Sequence, residues 1–213
     1  MKTLNREGFR TPMAKILAGV FLASSLTIVP MVWAEEGLPN IANIAEVVME
    51  KYRFSKRQLD NLLLVNTLAT KSNRPEVIQA LMLKESGAND NAKSAGNCHG
   101  VLQIMTSTAQ GILKNNTDLR TKYFGESTPN KAVVTKRLKT DPAFSIEVAD
   151  RIVAYELDRG HSIERAVLAY NMGSVAASRQ KSPTKYAYVT DVMRKVNMIT
   201  VPMKQLFEPA PIT

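Results

Sequence analysis

Glu85 is the residue of this chain best placed to do chemistry. It stands seven residues after Ile78, four after Leu81 and three after Met82. On a helix it therefore falls on the apolar stripe and not on the solvated face. Apolar surroundings disfavour the ionised carboxylate, so its pKa rises and the group can keep its proton near neutral pH. Such a carboxyl is a general acid, suited to protonating a leaving oxygen. Periodicity alone leaves a plainer reading open, in which Glu85 is the last turn of a helix, partly solvated by Ser86-Gly87 behind it.

The elements that must hold such a group read as helices. Apolar residues recur at helical spacing, and no stretch sustains strand-like alternation. Ile41, Ile44, Val47, Val48 and Tyr52 form one stripe; Leu59, Leu62, Leu63 and Leu68 form the next, with Ser55 as its N-cap. Pro75 opens a third helix through Val77 to Glu85. A polar, Gly- and Asn-rich loop fills 87–99, a short helix runs from Thr106 to Lys114, and a polar excursion spans 115–140. Asp141-Pro142 starts the longest helix, ending near Gly160 and apolar on two faces, as a helix at the centre of a bundle is. Phe144, Val148, Ile152 and Tyr155 mark one of those faces. Ser162 caps the next helix, and Pro183 opens the last, through Tyr188, Val192 and Val196. This is an all-α domain at 73–199, preceded by a helical arm at 35–72 and followed by a Pro-containing tail at 200–213.

The chain of 213 residues is 45% apolar and 22% charged, which is globular composition. Its net charge is +9 with a pI near 9.7. No basic run exceeds two residues, so the excess suits an anionic polymer such as a cell wall better than nucleic acid. Cys98 is the one cysteine and His99 and His161 the two histidines, too few for a disulfide framework or a closed Cys/His zinc site. No metal or cofactor is expected. Residues 1–15 carry a net +3 and 16–34 no charge, and Glu35-Glu36 follow. That pattern is a secretory signal peptide cleaved after Val32-Trp33-Ala34, for a periplasmic protein. An uncleaved membrane anchor is the alternative, which Pro30 and Ser24-Ser25 make poorer. Removing the +3 leader from +9 leaves +6 on the mature chain.

Three blocks carry a resemblance. Glu85-Ser86-Gly87, then Gly100-Val101-Leu102-Gln103-Ile104-Met105, then Ala169-Tyr170-Asn171-Met172-Gly173 resemble the signature motifs of the soluble lytic transglycosylase (SLT domain) family. Thr108-Ala109 and Tyr186-Val189 fit as well. The resemblance covers about 73–199 and implies a goose-type-lysozyme-like helical fold that cleaves peptidoglycan. It implies that Glu85 is the sole catalytic acid and base, and that Ser86 helps hold its surroundings. Gln103 would line the cleft, Tyr170 would reach the catalytic carboxyl and Asn171 would contact the glycan. Gly100 and Gly173 would let backbone pack close to the substrate. The implied product is a 1,6-anhydro sugar. Two departures stand out: Gly-Val-Leu-Gln replaces the usual Gly-Leu-Met-Gln, and Asn97-Cys98-His99 stands where small residues are commoner.

Other readings compete with this one. Cys98 and His161 follow the Cys-then-His order of papain-like peptidases, but those carry the His on strands and Cys98 lies in no nucleophile motif. Without a partner, the Cys98 thiol is expected to be dispensable and its blocking harmless. A hydrolytic muramidase on the same fold is one alternative. Another is a glycan-binding accessory protein, working as a monomer or with the partners of an envelope-spanning secretion or conjugation machine. An intact Glu85 argues against the last.

Overall fold

Local signals start the helices where the sequence places them. The computed structural model describes residues 52–93 and 96–197. The leader at 1–34, the arm up to residue 51 and the tail at 200–213 lie outside the described residues. Helix α1 (Lys56–Leu68) is opened by a capping box, in which the Gln58 N–H donates to the Ser55 hydroxyl and the Ser55 N–H to the Gln58 side chain. Helix α2 (Pro75–Glu85) starts on Pro75, whose missing N–H costs nothing in a first turn.

A two-residue hairpin, β1 (Cys98–His99) with antiparallel β2 (Ile104–Met105), leads into α3 (Thr106–Asn115). Helices α4 (Thr117–Phe124) and α5 (Lys131–Thr140) follow, then α6 (Pro142–Asp158), capped by the Asp141 carboxylate on the Phe144 N–H. Ser162 caps α7 (Ile163–Met172), the short α8 (Ser174–Ser178) follows, and α9 (Ala187–Lys195) ends the described fold.

Helix α6 is the axis of an all-α, lysozyme-like fold, in contact with α1, α2, α3, α5 and α7. Phe144, Ile146, Val148, Ala149 and Val153 are fully buried on it, and each large apolar side chain so placed contributes about 1.5–3 kcal/mol. Tyr123 and Phe124 from α4 meet Phe144 edge-on at 5.0 and 5.5 Å. Buried charges on the same helix fix what packs against it. Asp150 accepts the Lys71 and Ser72 N–H groups at 2.7 and 3.0 Å, pinning the turn between α1 and α2 to the axis. Arg151 pairs with Asp118 at 2.6 Å.

Several details differ from the expectation. The polar excursion at 115–140 contains α4 and α5, each burying only one or two apolar residues: Leu119 on α4, Val134 and Leu138 on α5. Pro183 opens a single 3-10 turn (Pro183–Lys185), and α9 begins afterwards at Ala187. Tyr155, read as part of an apolar face, is 50% exposed, with the Arg159 guanidinium donating to its hydroxyl. Helix α1, at the end of the segment read as an arm, packs against α2 and α6. Among the described residues, no helix is long and apolar enough to cross a membrane.

Candidate active site

Glu85 is the last residue of α2, half-buried, where the helix ends against a hard turn. Gly87 and Ala88 both take positive φ, 64° and 63°. Ala88 is fully buried, and no side-chain partner of its own could hold so strained a backbone. Helix α1 holds it instead: the Gln58 amide donates to the Gly87 carbonyl at 2.7 Å and the Asn61 amide to the Ala88 carbonyl at 3.0 Å.

Burial raises the pKa of the Glu85 carboxyl above its ordinary value, partly opposed by the Tyr188 hydroxyl, which donates to Oε1, and by the neighbouring Lys84. The helix C-terminus, the negative end of the helix dipole, also disfavours a negative charge. Tyr188 belongs to α9. Its phenol is pushed far up by burial and then by Glu85, so it stays a donor. The Lys84 ammonium lies 5.7 Å from the centre of the Tyr188 ring and pairs with Asp191 at 2.9 Å, tying α2 to α9 at the acid. The lysine pair and the neighbouring Arg194 hold the Asp191 carboxyl well below the usual range.

The hairpin forms the facing wall. Ser86 donates to the Val101 carbonyl at 2.6 Å, and Tyr170, from α7, to the Leu102 carbonyl at 2.7 Å. Tyr170, which the resemblance expects to reach the catalytic carboxyl, gives its hydroxyl proton to Leu102, and the bond to Glu85 is made by Tyr188. Tyr170 stays within electrostatic reach, and burial and then Glu85 push its phenol well up. Gln103 takes a left-handed φ of 47° and turns its amide back to the Gly100 carbonyl at 2.8 Å. Asn171 is exposed near the end of α7.

The two glycines serve the fold differently. A Cβ on Gly100 would lie 2.0 Å from the Leu138 carbonyl oxygen, so its bareness admits α5 backbone. Gly173, with φ 83°, ends α7 and has open space where a Cβ would be. His161 meets the buried Glu156 at 2.7 Å, a hydrogen bond with that carboxyl and not with Cys98. No group of three or more His, Cys, Asp or Glu among the described residues could hold a metal ion.

Sequence reasoning saw Tyr188 only as a helix residue, although the Tyr186–Val189 block had been noted as fitting. Cys98, for which sequence reasoning found no partner and no motif, lies within electrostatic reach of the acid: burial and then the Glu85 charge raise the pKa of its thiol. We expect Cys98→Ser to retain near-normal activity. The sequence-based expectation of harmless blocking changes here: because Cys98 lines a hollow, a bulky maleimide should inhibit by crowding it, slowly at neutral pH and faster as alkali forms the thiolate. Rates of labelling and of activity loss, measured together against pH, check this; labelling to completion with full activity would refute it.

No curated protein and no solved structure matches the chain. A family model, the transglycosylase SLT domain, matches residues 65–189, a span that takes in Glu85, the hairpin, Tyr170, Asn171 and Tyr188. Spanning more than half of its length, that match makes the chain a member of the transglycosylase SLT domain family, with peptidoglycan as the polymer it acts on.

Proposed function

We propose that the chain is a lytic transglycosylase that cleaves the β-1,4 bond between N-acetylmuramic acid and N-acetylglucosamine, with Glu85 as its single acid and base. The observation that carries the reading is the half-buried Glu85 carboxyl, its pKa raised by burial and its Oε1 held by Tyr188. Other carboxylates are committed elsewhere: Asp90 to Arg57 at 2.5 Å, Asp118 to Arg151, Asp191 to Lys84.

Protonated Glu85 gives its proton to the glycosidic oxygen as the bond to C1 breaks. The substrate's own N-acetyl group shelters the positive charge at C1, as in substrate-assisted glycoside cleavage. Glu85, now ionised and stabilised by the Tyr188 hydroxyl, takes the proton of the muramic C6 hydroxyl, whose oxygen attacks C1. The acid is regenerated and no water is consumed. An intramolecular hydroxyl outcompetes solvent through its high effective concentration. Gln103 and Asn171 contact the glycan, while Ser86 and Tyr170 keep the hairpin wall in place.

Mass analysis of the products released from purified sacculi tests this. Muropeptides ending in 1,6-anhydro-N-acetylmuramic acid, one water lighter than hydrolytic products, are expected. Reducing-end muramic acid as the main product would make the enzyme a muramidase. The same reading sends the protein to the periplasm with its leader removed after Ala34. N-terminal sequencing should then begin at Glu35, and a full-length cytosolic species would overturn it.

A further inference from the structure

Lys139 stands between two hollows. One, of about 470 Å³, is lined by Lys93, Cys98, His99 and Lys139, with Asp90 at its edge. The other, of about 570 Å³, lies along the outer face of α5 between Lys131, Lys136 and Lys139. Lys136 and Lys139, three apart, are neighbours on that face, and Lys131 begins the helix. Among the described residues, none of the four lysines has a carboxylate partner; the ion pairs of this half of the fold go to Arg57, Lys122 and Arg137 instead. Asp90 does not neutralise them, being engaged by Arg57 and Asn61.

The first hollow adjoins the acid. Cys98 and His99, the two residues of β1, both line this hollow. The Cys98 thiol feels Glu85, while His99 feels Lys139. Burial and then Lys139 lower the His99 pKa, leaving a neutral ring that can donate a hydrogen bond to an anion.

We propose that this lysine-lined track binds the carboxylates of the peptide stems that hang from N-acetylmuramic acid, beside the glycan at Glu85. The proposal rests on the reading of the chain as a peptidoglycan-cleaving enzyme. The glycan backbone of that polymer is uncharged at its N-acetyl sugars, so the unpaired ammonium groups of Lys93 and Lys139, in the hollow they share with Cys98, have nothing to meet there. The stems supply what the track lacks: carboxylates, on flexible chains, starting at the sugar whose C1 reacts.

The test measures affinity by calorimetry for soluble glycan fragments of equal length, with stems intact or removed by an amidase. The full mature chain carries Glu85→Gln so that fragments stay whole. Stem-bearing fragments should bind more tightly, with an advantage that shrinks as salt rises. Lys93→Gln with Lys139→Gln should remove most of that advantage, weakening stem-bearing fragments roughly three- to tenfold, as two partly exposed ion pairs allow, and leaving stem-free fragments unchanged. Equal binding of the two fragments, or equal losses on both, overturns the track. Failure here is separable from failure of the proposed function. Anhydro product without stem preference sinks only the track, and lysine-dependent stem binding without cleavage by the unsubstituted enzyme sinks only the catalytic reading.

Discussion

Glu85→Gln is expected to lower turnover on purified sacculi by about 10²–10⁴, the usual contribution of a positioned general acid. Gln keeps the shape and can still accept from Tyr188, so helix content should be unchanged. The substitution also has a signature in stability. Folded Glu85 holds its proton more tightly than the ordinary value of 4.5. Its favourable contribution is thus fully present below that value and is lost as pH rises through the raised pKa. Gln carries no charge to desolvate, so the variant should match the parent at low pH and melt higher at neutral pH.

Activity should fall in the same window, because the protonated form does the first step. Tyr188→Phe removes a bond that favours the carboxylate, so its alkaline limb should move to higher pH while turnover drops through lost orientation. Wild-type turnover by well-folded Glu85→Gln would refute the assignment of the acid.

Gly100→Ala is expected to destabilise the fold by about 3–5 kcal/mol. The strain of a left-handed Ala accounts for about 1–2 kcal/mol and overpacking for the rest. The added methyl would meet the Leu138 carbonyl oxygen at 2.0 Å, and that carbonyl cannot retreat easily, because Ser145 donates to it at 3.1 Å from the central helix. Thermal unfolding should show a loss of roughly 10 °C or more. Gly160→Ala is the control: its φ of 77° is close to the 74° of Gly100, but nothing lies within 4 Å of the new methyl. It should cost only about 1–2 kcal/mol. Equal costs would show that the contact with Leu138 relaxes without consequence.

What the sequence made legible is what short-range rules govern. Ser55, Pro75, Asp141-Pro142 and Ser162 each start a helix because capping and first-turn chemistry are local. Glu85 was legible because helical spacing places it beside Leu81 and Met82. Tyr188 was not, because its bond to Glu85 spans 103 residues and depends on how α9 lies on α2. The same holds for Tyr170, whose partner was set by the hairpin's position against α7 and not by the motif that contains it. Helices α4 and α5 escaped notice because a helix that buries only Leu119, or only Val134 and Leu138, has too few apolar positions to show a period. The departures at Cys98 and His99 pointed to the right loop, but only the fold, with β1 paired to β2, brings Cys98 within reach of the Glu85 charge and His99 within reach of Lys139.

Helix α1 sets where the working unit begins. The family match starts at residue 65, inside this helix, yet the amides that brace the turn behind the acid come from Gln58 and Asn61. A fragment cut at 65 would keep every motif residue and lose that brace. Gly87 and Ala88 would then be free to leave their left-handed geometry, and the end of α2 could fray with its carboxyl. The shortest unit that keeps this brace therefore starts before the Ser55 capping box, and the boundary of recognisable kinship is not the boundary of the fold that holds Glu85.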